Sequence, residues 1–255
     1  MNKFKLAAVA SAFALSTFSM SALADIMQLN SVTGANTTID YTGAPDLPQT
    51  VTAGQFNMTN TTTGVDFYAF CVDIFNNLQS PHDYTFGDIS NAGWTSLQSG
   101  RVNYLFDFYG NILGASATPT VGAAFQIALW EILNETAGRP LDTSTYAFTA
   151  SGHSTAVSNL VRGMLENVTA NATDGYESLI YNLSFASGNP VATIGMGTYR
   201  IPVNSQSLIT WTPCGDNGCS NGGGDPSGVG EVPEPAPLSL LGIGLLGMLF
   251  KRKFN

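Results

Sequence analysis

Between residues 25 and 76, apolar and β-branched positions come in short runs punctuated by Gly, Pro and Asn. "IMQLNSVTG", "TTIDYTG", "QTVTAGQFNMT" and "VDFYAFCVDIF" each read as a strand. The last is apolar on both faces, with Val65, Phe67, Ala69 and Cys71 on one side and Tyr68, Phe70, Val72 and Ile74 on the other. A strand with two apolar faces belongs in a core. The period then changes. Residues 96–113 place Leu97, Tyr104, Leu105 and Phe108 at helical spacing, and 119–136 do so more strongly behind a Thr-Pro start. The pattern predicts a third helix over 154–168. Strand signals return in "ESLIYNLSFAS", "VATIGMGTYRIPV" and "SLITWTP". Strands, then helices, then strands predict one α+β domain over 25–213, a strand-rich unit enclosing a helical insert.

Both ends break this pattern. Residues 1–24 have a basic start (Lys3, Lys5), an apolar run over 6–18, and the small residues Ser21-Ala22-Leu23-Ala24 before Asp25. This is the three-part layout of a secretory signal peptide, and the apolar run is too short to span a bilayer. Residues 214–231 collapse to Gly, Ser, Asn, Asp and Pro, a flexible linker from which no core can be built. Residues 238–250 are then uncharged and apolar, a short hydrophobic helix followed at once by Lys251-Arg252-Lys253. Thirteen helical residues reach roughly 20 Å, short of the ~30 Å bilayer core. Transient insertion with the basic stop on the cytoplasmic side is the expectation.

Charge narrows the partners. Between residues 25 and 250 only Arg101, Arg139, Arg162 and Arg200 are basic, against all 18 acidic residues. Such a surface repels phosphate backbones and carries no basic stripe, which argues against nucleic acid. His82 and His153 are the only histidines and fall in segments read as loops. Without metal-ligand spacing, neither a metal site nor a cofactor is expected. Of three cysteines, Cys214 and Cys219 flank a turn-forming Gly-Asp-Asn-Gly that could close a small disulfide loop after export. Cys71 is then odd: a buried inert thiol, an intermolecular bridge or a reactive group.

Val232-Pro233-Glu234-Pro235, followed by the apolar stretch and the basic cluster, resembles the PEP-CTERM sorting tail of Gram-negative bacteria over residues 232–255. The resemblance implies processing by exosortase near Pro233-Glu234-Pro235. It also implies transient anchoring in the inner membrane, then delivery to the cell surface or extracellular matrix.

Two inner segments carry a second resemblance. Phe70-Cys71-Val72-Asp73 and Gln126-Ile127-Ala128-Leu129-Trp130 are similar to the paired motifs of bacterial thioester adhesin domains, with Leu129 for Ile and Phe125 for Thr. That resemblance implies an internal thioester between Cys71 and Gln126, and adhesion or covalent attachment to a polysaccharide or protein nucleophile. Chemically, a thiol held against a glutamine carbonyl can expel ammonia if proximity and oxyanion stabilisation are supplied. Phe67, Phe70 and Trp130 are candidate shields. Between residues 25 and 250 there is no lysine whose amine would consume the product, and arginine is not nucleophilic. The chain is expected to modify itself and not to act as an enzyme. The alternative is a non-covalent structural or carbohydrate-binding matrix protein with the same address.

Overall fold

The computed structural model describes residues 25–44, 46–135, 139–188 and 205–214. The signal peptide, the strand expected over 191–203, the linker and the tail lie outside the described residues. So do Cys219, Val232–Pro235, the 238–250 helix and Lys251–Lys253.

Seven strands are present: β1 (Asp25–Tyr41), β2 (Gln49–Asn60), β3 (Val65–Cys71), β4 (His82–Asp88), β5 (Phe148–Ser151), β6 (Tyr181–Ser187) and β7 (Leu208–Pro213). Every pairing is antiparallel. The sheet order is β2-β3-β7-β6-β4-β1-β5, and β1 also pairs with β2. That extra pairing closes six strands into a ring, with β5 attached outside on β1, so most edges are removed. The expectation of an α+β domain built from strands at both chain ends holds.

The two runs expected at 26–34 and 37–43 are one 17-residue strand. Gly34 does not break it, because Gly34 pairs with Gly54 where the β1 and β2 backbones nearly touch. A Cβ on Gly34 would lie 1.9 Å from the Ala53 carbonyl oxygen. His82, read from sequence as a loop residue, begins β4, since β4 acquires its partners β1 and β6 only in the folded chain.

Three helices lie between β4 and β6 in the chain. α1 (Ser96–Tyr109) opens with a capping box, Thr95 Oγ1 accepting from the Gln98 amide while the Gln98 side chain accepts from the Thr95 amide. α2 (Pro119–Asn134) has Thr118 as its cap and Pro119 in its first turn. α3 (Thr155–Asn171) is capped by Ser154. Every residue of α2 from Gly122 to Ile132 is buried, as befits a helix packed on β1 and β2 on one side and on α1 and α3 on others. Gly122 permits that depth, because a Cβ there would meet the Thr33 carbonyl oxygen at 2.2 Å. Among the described residues no helix is long and apolar enough to cross a membrane.

Candidate functional site

Cys71 is the last residue of β3, and alternation sets what it can touch. Val72 donates its amide to Ser207 on the β7 side. The N–H and C=O of Cys71 therefore point the other way, toward β2. But β2 pairs with β3 only as far as Phe56 opposite Ala69. Beyond that point β2 runs on with β1 alone, and α2 fills the place it leaves.

Gln126 on α2 completes the ladder. The Cys71 amide donates to Gln126 Oε1 at 2.9 Å, and Gln126 Nε2 donates to the Cys71 carbonyl at 2.7 Å. The carboxamide thus acts as one surrogate residue of strand. Both residues are sealed, Cys71 at 1% and Gln126 at 0% exposure. The structure brings together the cysteine and glutamine paired on sequence grounds.

The thiol donates to the Asp73 carbonyl oxygen at 2.9 Å. Burial pushes its pKa up to about 12, opposed by the Asp73 carbonyl contact, reinforced by the Asp73 charge, and opposed again by the Trp130 indole. The group is therefore a neutral thiol at physiological pH. Asp73 itself folds the chain after β3, its carboxylate accepting from the Phe75 amide at 2.8 Å and the Asn76 side chain at 2.5 Å.

Trp130 stands one helical turn beyond Gln126 and is 3% exposed. Its indole N–H is buried without a hydrogen-bond acceptor. It lies near enough to the sulfur to favour the thiolate, yet it makes no bond of proper geometry to the thiol. A buried orphan donor costs about 1–3 kcal/mol, so an acceptor arriving beside it gains that much. The other two candidate shields divide. Phe67 shares the sulfur's face of β3, with its ring edge-on to Phe86 of β4 at 6.1 Å. Phe70 lies on the opposite face, edge-on to Phe106, tilted against Phe125 and stacked on Trp211. It therefore supports the strand and does not cover the thiol directly.

Two neighbours escaped the sequence reading. Tyr84 of β4 is buried and shares a hydrogen bond with Ser205 Oγ at 2.9 Å, and its burial pushes the phenol up to about 12, opposed by the Ser205 bond. Gln55 forms a second bracket, its Nε2 donating to the Gly114 carbonyl at 3.0 Å and its Oε1 accepting the Gly114 amide at 2.7 Å. The fold thus uses a buried carboxamide twice to satisfy stranded backbone. Only at Cys71 is a nucleophile attached to the bracketed residue. Cys214, the residue after β7, is disulfide-bonded. Among the described residues no cluster of His, Cys, Asp or Glu has metal-binding geometry.

The model of the PEP-CTERM protein-sorting motif matches residues 231–253. Those residues are a PEP-CTERM sorting motif. Such a motif is the recognition signal for exosortase processing, so this is an exported, surface-sorted protein. No curated protein matches this chain. Among solved structures, the Bacillus anthracis TIE protein is similar at 13% identity with a TM-score of 0.36, over 74% of this chain and 39% of that one. The chain thus spans about two fifths of that structure's length.

Proposed function

We propose that this surface-sorted protein attaches covalently to a partner through a thioester between Cys71 and Gln126. The observation that carries the reading is the buried bracket in which one carboxamide grips both backbone groups of the only free cysteine among the described residues. The Cys71 amide already sits on Gln126 Oε1, where negative charge builds when the carbonyl is attacked. The Cys71 carbonyl holds the leaving nitrogen. In the first step Sγ bonds to Gln126 Cδ, the Cδ–Nε2 bond breaks, and the thiol proton leaves with the nitrogen as ammonia. In the second, an amine or hydroxyl of the partner attacks Cδ, its proton passes to the departing sulfur, and an amide or ester remains.

Burial protects the intermediate from water and requires a local opening for the partner to enter. The chain reacts once and turns nothing over. Exosortase release of the tail in a Gram-negative host, after passage through the inner membrane, delivers it to the surface or matrix. The partner is a nucleophile of surface polysaccharide or protein.

The intact mass of the purified full chain tests this. The expected result is a deficit of one ammonia, replaced by one methylamine adduct on incubation with methylamine, and absent in Cys71→Ala. A full mass, with Cys71 alkylated quantitatively after denaturation, ends the proposal. The Gln55–Gly114 bracket favours a second reading, in which Gln126 is only a structural brace in a non-covalent matrix protein; the same mass measurement supports it if no ammonia is lost.

A further inference from the structure

A cleft of about 380 Å³ opens between the start of α1 and the segment that leads into β6, well along the sheet from Cys71. Its size falls within the ~300–1,000 Å³ of small-ligand sites. Trp94 and Tyr176 supply aromatic surface beside the buried Tyr181, and Asp88, Asn103 and Asn182 supply polar groups. From these observations we infer that the cleft binds a neutral oligosaccharide through its pyranose rings. This does not rest on the thioester reading, since no residue of the cleft takes part in it.

The walls are fixed in advance. Asp107 on α1 accepts four hydrogen bonds from the opposite segment: from the Tyr176 hydroxyl at 3.0 Å, the Leu179 amide at 2.7 Å, the Ile180 amide at 3.2 Å and the Ser178 hydroxyl. Asn103 donates to the Tyr176 carbonyl at 2.9 Å, and Ser96 binds Asp174. Tyr176 is packed edge-on to Tyr104, and Trp94 edge-on to Phe185 of β6. A surface segment tied by so many bonds loses little entropy when a ligand arrives.

The lining also selects a ligand class. Its charged groups are Asp88 and Glu177, and it contains no Lys, Arg or His, so phosphate, sulfate or uronate would be repelled. Carboxylates and amides accept and donate to vicinal hydroxyls, while indole and phenol rings present flat faces to the C–H side of a sugar. The Asn182 amide and the Trp94 indole N–H have no protein partner among the described residues, so both remain available. A deep apolar hole, which a lipid or steroid would need, is not what these residues make.

Titration of the full chain with cellotriose, mannotriose and N-acetylchitotriose, read by tryptophan fluorescence and calorimetry, tests the assignment, with trigalacturonate as the charged control. At least one neutral trisaccharide is expected to bind. Trp94→Ala should abolish that binding, and Asn182→Ala should weaken it about tenfold or more while keeping the wild-type melting temperature. Cys71→Ala should bind as wild type, which separates this outcome from that of the mass experiment. Three results would each overturn the assignment: no neutral trisaccharide binding up to about 10 mM; trigalacturonate binding as tightly as the neutral sugars; or Asn182→Ala, which tests the cleft even if Trp94→Ala fails to fold, retaining full affinity.

Discussion

At Gln126, two buried backbone groups of Cys71 depend on one side chain. Gln126→Ala leaves both without partners, and each orphaned group costs about 1–3 kcal/mol. Chemical denaturation should show a loss on the order of 2–6 kcal/mol, with Gln126→Glu intermediate because it keeps the acceptor and loses the donor. Trp130→Phe keeps the ring's packing and removes the orphan donor. If an acceptor forms beside the indole during thioester closure, this variant should close more slowly by about tenfold, followed by mass against time. Glu131, the next residue, carries a different signature. Burial raises its carboxyl to about 7, the Asp142 amide opposes this, and the Glu135 and Asp142 charges add to it. One carboxyl oxygen takes the Asp142 amide at 2.6 Å and the other is buried without a partner. The folded chain therefore holds a proton that the unfolded chain releases near 4.5. Stability should fall as pH rises from about 4.5 to about 7 and then level off, by on the order of 3 kcal/mol. Glu131→Gln should flatten that decline, as thermal melts across the range would reveal.

At the scale of elements, α2 is positioned by contact and α3 has room to spare. Gly122→Ala drives a methyl into the Thr33 carbonyl, so α2 must back away from β1 and carry Gln126 with it. The expected loss is about 1–3 kcal/mol together with a fall in ammonia release. Gly163→Ala on α3 meets nothing within 4 Å and should gain about 0.5–1 kcal/mol from helix propensity alone. The same contrast explains what the sequence could tell. Helices α1, α2 and α3 were legible because capping residues and 3.6-residue periodicity are local. β4 was not, because "HDYTFGD" buries one residue, Tyr84, and takes its strand form from partners far along the chain. β5 is four residues long and exists as an addition to the end of β1.

For the whole molecule, ring closure was invisible in advance, since β3 with β7 and β4 with β6 are pairings that no local pattern encodes. The Cys71–Gln126 pair was readable from residue types in two short motifs. Their joining by a backbone bracket was not, nor was Gln55, whose only signal is a lone polar residue amid the buried run of β2. The cleft beside α1 draws on two stretches, 88–103 and 175–183, far apart in the chain, which is why its aromatics read as ordinary core. The tail acts at this scale too. Protein extracted from the cell surface should lack residues 238–250, as peptide mapping of its C-terminus would establish; their retention would mean that the sorting motif at 231–253 is not processed.

Gln126 stands in for a strand that ends early, and the two halves of the bracket are 55 residues apart in the chain. A polypeptide threading through a narrow export channel in extended form holds them far apart, one an ordinary thiol and the other an inert amide. The bond we propose between them can form only once β3 and α2 have docked, so on that proposal the molecule travels disarmed and is primed by its own folding on arrival.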